Sequence, residues 1–177
     1  GIGRRQRQMC IRDRIEGDKS LSIRWALLAS QSYGKSTSSN ILKSDDILST
    51  LNCLRKLGTK IEFKQNKCIV HGLGLNGFKY KRNITLNAGN SGTLARLILG
   101  LLIHSTKKVK IIGDKSLSKR DFLRVTKPLK KFGANFKTNN GKLPIVINGA
   151  KNPRPINYLE NRGSAQCKSS VMLAALN

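Results

Sequence analysis

The chain is poor in the residues that build metal centres and disulfide scaffolds. It holds two histidines and four cysteines, Cys10, Cys53, Cys68 and Cys167. No two cysteines form a CxxC pair, and no histidine stands at ligand spacing. The usual zinc-site patterns are therefore excluded, and the thiols read as the reduced cysteines of a cytosolic protein. Long apolar runs are also missing: none reaches the roughly 18 residues of a membrane span. The longest candidate, Leu97 to Ile103, fits a buried helix. Acidic residues are scarce, nine against 34 basic ones, for a net charge of +25. No RNP-type motif, zinc-finger spacing or helix-turn-helix pattern accompanies that charge. The short basic clusters Lys79-Tyr80-Lys81-Arg82 and Lys107-Lys108-Val109-Lys110 read as solvated strand ends. The surplus suits small anionic ligands or nucleic acid. It also matches the lysine-rich surface that an AT-rich genome encodes.

The 177 residues suffice for one domain or slightly more. The first 14, GIGRRQRQMCIRDR, stand apart in composition. They hold five of the 13 arginines and none of the 21 lysines, contribute +4, and leave +21 to the remainder. They lack the apolar stretch of a signal peptide and the serines and length of a transit peptide. They are expected to be a foreign or disordered leader, like translated adapter sequence at the end of an assembled read.

What the chain has is periodicity. Three Gly-led polar turns, Gly17-Asp18-Lys19-Ser20, Gly89-Asn90-Ser91-Gly92-Thr93 and Gly163-Ser164-Ala165-Gln166, stand with their first glycines 72 and 74 residues apart. Each opens an apolar helix: SIRWALLAS, LARLILGLL and CKSSVMLAAL. A repeat of this length implies one supersecondary unit copied along the chain. Helix starts of this composition present unpaired N–H groups and the positive end of the helix dipole, which is an anion site. Three of them brought together would hold a ligand with several negative groups.

The elements between the turns repeat in order. The first turn leads into a helix to about Tyr33, with Gly34 as its stop and a strand at 37–42. Ser44 reads as an N-cap with Asp45 and Asp46 in the first turn, and Gly58 as the C′ stop of that helix. Strands at 59–64 and 67–71 flank Gln65-Asn66 as a hairpin. The second unit starts with a strand at 83–87, then a helix to about Ser105 and a strand at 107–112. A helix from about Arg120 to Gly133 follows, with Pro128 inside it. Strands at 134–138 and 143–148 then flank Asn139-Asn140-Gly141. The third unit has a strand at 156–160 and a helix reaching Asn177. GDKSLSIR (17–24) and GDKSLSKR (113–120) agree at seven of eight positions but lie 96 apart, off the structural period. Both read as basic turns into helices.

Four segments, GDKSLSIRWALLAS, LNAGNSGTLARLILGLL, GDKSLSKRDFLRVTKPLKKFGA and GSAQCKSSVMLAALN, together resemble the 5-enolpyruvylshikimate-3-phosphate synthase family over about residues 15–177. The resemblance implies an α/β (α+β) fold: repeated βαβαββ units of an enolpyruvyl-transferase-type inside-out α/β barrel domain. Two complete units would run to about 150, with a third begun at about 156 and a second domain outside this chain. It also implies transfer of an enolpyruvyl group from phosphoenolpyruvate to shikimate 3-phosphate, with no metal and no cofactor. The implied enzyme is cytoplasmic, a monomer when full length, and has small-molecule substrates but no nucleic-acid or membrane partner.

By the same resemblance, Lys19, Ser20, Arg24, Ser164, Ala165 and Gln166 bind shikimate 3-phosphate. Lys19, Asn90, Gly92, Arg120 and Gln166 bind phosphoenolpyruvate, and a methyl at Gly92 weakens the inhibitor glyphosate. The family has Pro-Met after the arginine at position 120. Here Asp121-Phe122 follow, and Asp121 is placed to pair with Arg120. Arg96 is expected to be structural, on the helix flank, and Lys168 either adds charge or is solvated. The proton-transfer acid and base are expected in the second domain, and His71 and His104 are not expected to be catalysts. Two alternatives remain. One is a sister enzyme acting on UDP-N-acetylglucosamine, which would carry a catalytic cysteine in a mobile loop. The other is a basic nucleic-acid-binding module, which accounts for the charge but not for the turns.

Overall fold

The computed structural model describes residues 17–64, 67–161 and 163–176. The proposed leader, 1–14, and the Gln65-Asn66 turn lie outside them. The first helix, α1 (Lys19–Gln31), buries Ile23, Ala26, Leu27 and Ser30 along one face, the 3.6-residue spacing of an inward stripe. It stops two residues before the expected Tyr33, and β1 (Tyr33–Ser39) begins almost at once instead of at Thr37. Gly34 is not the helix stop. It lies within β1 at φ +86°, opposite Gly72 of β3 (Lys67–Leu73). Gly72 is needed for contact: an added Cβ would lie 2.1 Å from the Ser32 carbonyl oxygen.

Helix α2 (Asp45–Lys56) has Ser44 at its N-cap position and Asp45 and Asp46 in its first turn, as the sequence predicts. The Ser44 hydroxyl nevertheless caps nothing, and its oxygen is buried with no hydrogen-bond partner. Replacing a working cap serine by alanine costs about 1 kcal/mol. Ser44→Ala is expected to cost none of this, because it removes a buried oxygen that is not paired. Thermal melting of the full-length variant checks this: an unchanged or higher midpoint is expected, and a drop of several degrees would contradict it.

Two sheets share one wiring. In the first, β1 and β2 (Lys60–Lys64) flank β3, all antiparallel, in the order β1-β3-β2. The second contains β4 (Ile84–Asn87), β5 (Val109–Ile112), β6 (Asn135–Asn139) and β7 (Lys142–Asn148). Its order is β4-β5-β7-β6, with only β4 and β5 parallel. In each, the strand after the first helix pairs with the last strand, which pairs with its hairpin neighbour. The β6–β7 hairpin turns on Asn140 and Gly141, at φ +48° and +78°, the left-handed backbone that Asn and Gly tolerate.

Beyond β4 the structure differs from expectation in three places. Helix α3 (Gly92–Leu101) ends before Ser105. Its last turn tightens, with Ile103 N–H donating to the Gly100 carbonyl. The helix expected over 120–133 is α5 (Leu123–Lys131), and a separate short helix that was not expected, α4 (Lys115–Ser118), precedes it. Asp121 divides them, because its carboxylate accepts the Leu123 N–H at 2.9 Å and so starts α5. Pro128 lies inside α5 and is buried. The segment 156–160 forms no strand; Ile156 and Tyr158 instead pack partly buried on the core, and Arg154 N–H donates to the Phe132 carbonyl at 3.0 Å.

Every residue of α3 except Arg96 is buried, as befits a helix apolar on all sides. It packs mainly on α6 (Ala165–Ala175) at a point where no side chain intervenes. An added Cβ at Gly100 would lie 2.1 Å from the Ser170 carbonyl oxygen. The Ser170 hydroxyl donates to the Arg96 carbonyl at 2.8 Å and closes the seam. One continuous core joins these helices to both sheets. The α3–α6 seam fixes the N-terminus of α6 beside the N-terminus of α3, which is where the polar residues gather.

Candidate anion site

The three Gly-led turns and the strand-to-helix turn at 113–120 share a local device. In each, one side-chain oxygen accepts the backbone N–H three residues on: Asp18 from Leu21 at 2.7 Å, Ser91 from Leu94 at 3.3 Å, Asp114 from Leu117 at 2.7 Å and Ser164 from Cys167 at 3.3 Å. This satisfies one orphan donor of the helix end. GDKSLSIR and GDKSLSKR are thus alike in structure as well as in letters, although they open different helices of their units. The Ser164 hydroxyl accepts from the helix and keeps its own hydrogen to donate.

Helix α6 is the hub. On one side, Arg24 of α1 reaches Ser169, with Nε and Nη2 each 3.3 Å from its hydroxyl oxygen. Arg24 Nη1 donates to the Ser20 carbonyl at 3.2 Å, one turn back on the same face. The Ser169 hydroxyl in turn donates to the Ala165 carbonyl at 2.8 Å. On the other side, Gln166 reaches α3: its Nε2 donates to Thr93 Oγ1 at 3.0 Å and its Oε1 accepts from Arg96 Nη1 at 2.9 Å. The first and second turns are thereby both tied to the third.

The second turn is tied in addition to the 113–120 turn. Arg120 Nη2 donates to Asn90 Oδ1 at 3.2 Å, and Asn90 Nδ2 donates to Asp114 Oδ2 at 2.6 Å. Asp121 does not pair with Arg120 as expected, since its carboxylate is engaged at the start of α5. Gly92 lies between two guanidinium groups: an added Cβ would sit 2.8 Å from Arg96 Nη1 and 3.0 Å from Arg120 Nη1. Burial lowers the pKa of Arg96 from its ordinary value, and the charge of Arg120 lowers it further. Among the described residues the ion pairs are those of Lys19, Lys60, Lys64 and His71. Arg24, Arg96 and Arg120 therefore form no ion pair among the described residues, although the Asp121 charge partly offsets the lowering at Arg96. Unneutralised guanidinium groups at helix N-termini favour an incoming anion.

Lys19 stands at the mouth of α1, with its ammonium 3.1 Å from the Asp46 carboxylate at the start of α2 and its side chain 53% exposed. Lys168 is exposed and Ala165 presents its backbone. His71 pairs with Glu62 in the first sheet, away from the turns. The expected site residues Ser20, Arg24, Asn90, Gly92, Arg120, Ser164, Ala165 and Gln166 are thus linked through the four turns. Sequence reasoning missed Thr93, Asp114 and Ser169, and it placed Arg96 on the flank as a structural residue. Arg96 does hold structure together: it joins Gln166 to the Gly92 and Asp121 carbonyls, and its guanidinium lies over the Phe122 ring, 5.1 Å from the centroid. The one available signal was the second GDKSLS, which marks Asp114 as the counterpart of Asp18.

Comparisons with known proteins place the chain in a family. The family model for EPSP synthase (3-phosphoshikimate 1-carboxyvinyltransferase) matches residues 11–177. A 3-phosphoshikimate 1-carboxyvinyltransferase of Vesicomyosocius okutanii is 45% identical over 163 residues, covering 92% of this chain and 37% of the relative. One from Streptococcus pyogenes is 42% identical over 164 residues, covering 92% and 38%. A solved structure of EPSP synthase from Acinetobacter baumannii superposes with a TM-score of 0.87 at 35% identity, covering 93% of this chain and 37% of that one. The chain belongs to the EPSP synthase family. It spans a little over a third of the length of the relatives it matches.

Proposed function

We propose that these residues form part of the substrate site of an enzyme that moves the enolpyruvyl group of phosphoenolpyruvate to the 5-hydroxyl of shikimate 3-phosphate, releasing phosphate. The observation that carries this reading is the placing, at the helix starts, of three arginines that form no ion pair among the described residues: Arg24 and Arg96 tied to α6, and Arg120 tied to Asn90. Both substrates are polyanions, and planar guanidinium forks suit carboxylate and phosphate oxygens. Lys19, Ser20, Arg24, Ser164, Ala165 and Gln166 take shikimate 3-phosphate in this reading. Lys19, Asn90, Gly92, Arg120 and Gln166 take phosphoenolpyruvate. Lys19 and Gln166 serve both, and Gln166 already touches the second turn through Thr93.

The reaction protonates the methylene carbon of phosphoenolpyruvate while the sugar hydroxyl attacks the neighbouring carbon. The tetrahedral intermediate then loses phosphate, and a proton leaves the methyl group to restore the double bond. Most groups gathered at the turns are donors. Their part is to bind, to orient and to stabilise negative charge, and the proton carriers belong to the second domain. The enzyme of this reading is a cytoplasmic monomer that needs no metal, redox cofactor or nucleic acid. The sister reaction on UDP-N-acetylglucosamine is disfavoured by the thiols. Cys53 and Cys68 are buried, and burial pushes the Cys53 pKa up to about 11 and raises that of Cys68. Such thiols are poor nucleophiles at neutral pH.

The test is phosphate release by the full-length protein supplied with phosphoenolpyruvate. Release that requires shikimate 3-phosphate, with the enolpyruvyl product seen by mass spectrometry, is expected. Release with UDP-N-acetylglucosamine in its place, or none with either acceptor, would overturn the reading.

A further inference from the structure

We infer that Asp114 is a positioning residue for phosphoenolpyruvate, acting through Asn90 on Arg120; the inference rests on the function proposed above. A carboxylate beside an anion site is unfavourable unless it has other work. Besides the Ser118 N–H that its carbonyl accepts within α4, Asp114 has three bonds that bear on the turns. Its N–H donates to the Gly89 carbonyl at 2.8 Å, its Oδ1 accepts from Leu117 N–H at 2.7 Å, and its Oδ2 accepts from Asn90 Nδ2 at 2.6 Å. The first holds the second Gly-led turn against the 113–120 turn. Gly113 permits that approach, since an added Cβ would lie 2.9 Å from the Gly89 oxygen. The second fixes the carboxylate on α4. The third sets which end of the Asn90 amide faces Arg120.

The direction of that amide matters. An ionised carboxylate accepts at both oxygens and donates nothing. Asn90 must therefore present its Nδ2 to Asp114, and its Oδ1 is left for Arg120, which is a donor only. A donor–acceptor relay thus runs Arg120 to Asn90 to Asp114, and its end is anchored in the backbone of α4. It aims a flexible, exposed arginine without neutralising it, because the neutral amide intervenes.

Asp114→Asn separates this role from capping. Asparagine caps a helix about as well as aspartate, so α4 is kept. Its NH2 group now faces the Asn90 NH2, donor to donor. Relief requires Asn90 to turn over, which puts an NH2 against the Arg120 guanidinium. In the full-length enzyme, Asp114→Asn is expected to raise KM for phosphoenolpyruvate about tenfold. We expect kcat and the KM for shikimate 3-phosphate to stay within about threefold of wild type. Asn90→Ala should have a similar effect, and the double variant should be no worse than the more impaired single, because both break one relay. A wild-type KM in Asp114→Asn, or multiplied effects in the double variant, would overturn the inference. If Asp114→Asn does not fold, Asp114→Ser keeps a cap oxygen, lacks the second acceptor and carries the same expectation. An inactive wild type would instead contradict the proposed function. The same cycle is then read from the Kd of inorganic phosphate by phosphorus NMR, with the same outcomes deciding.

Discussion

Alanine at position 100 is expected to cost the protein stability and anion affinity together. Gly100 meets α6 backbone to backbone: its added Cβ would lie 2.1 Å from the Ser170 carbonyl oxygen and 3.0 Å from the carbonyl carbon. Neither atom belongs to a side chain that could swing away. The methyl group therefore has to push the two helices apart across a seam that is otherwise fully buried. Overpacking of a well-filled core costs about 1–3 kcal/mol, and here it also stretches the Ser170–Arg96 hydrogen bond. Ser164, Gln166 and Ser169 ride on α6, so the ties to Thr93, Arg96 and Arg24 are displaced with it. The full-length Gly100→Ala variant should melt several degrees lower and bind shikimate 3-phosphate at least about tenfold more weakly. A variant with wild-type melting and affinity would show that the seam does not position the site.

Alanine at position 92 is expected to do the reverse, with a large loss of affinity at little cost in stability. The nearest atoms to its added Cβ are the guanidinium ends of Arg96 and Arg120, at 2.8 Å and 3.0 Å, followed by Leu117 Cδ1 at 3.7 Å. Both guanidinium atoms are the far ends of long side chains rather than backbone, so a shift of a few tenths of an ångström lets the fold absorb the methyl group. The cost falls on the anion, because both guanidinium groups move and the methyl group fills the space over the turn. KM for phosphoenolpyruvate should rise at least about tenfold, equivalent to roughly 1.4 kcal/mol, with melting shifted by no more than a degree or two. The inhibition constant of glyphosate, which the family resemblance brings to the same turn, should rise as well. Unchanged values for both ligands would refute this account of Gly92. The two glycines thus form a matched pair, one facing backbone and one facing side-chain ends.

The sequence made the turns legible because their chemistry is local. A helix start needs an oxygen three residues before an N–H, and Asp18, Ser91 and Ser164 supply it wherever the rest of the chain goes. The Asn140-Gly141 hairpin is local in the same sense, since only its own backbone has to adopt positive φ. What was hidden depends on partners distant in the chain. Gly34 reads as a helix stop until Gly72 is seen opposite it in the sheet. Arg96 reads as a structural residue, but its partner Gln166, 70 residues on, is not visible until α6 is in place. Ser169 carries no motif of its own, and its role appears only when α1 lies beside α6. Asp121 reads as a partner for Arg120, and the competing local demand of the Leu123 N–H is met instead. The expected strand at 156–160 fails for a related reason: alternation of residue types does not supply a neighbouring strand, and among the described residues none pairs with it.

The measurement closest to the central claim is a phosphorus NMR titration of the full-length protein with shikimate 3-phosphate, alongside Arg24→Ala. Arg24 joins the first turn to α6 through Ser169 and, among the described residues, forms no ion pair. If the linked helix starts form the anion site, the wild type gives a saturable shift of the phosphate signal and Arg24→Ala gives none at the same concentrations. Saturation of equal affinity in a folded Arg24→Ala variant, or no shift in the folded wild type, would contradict it.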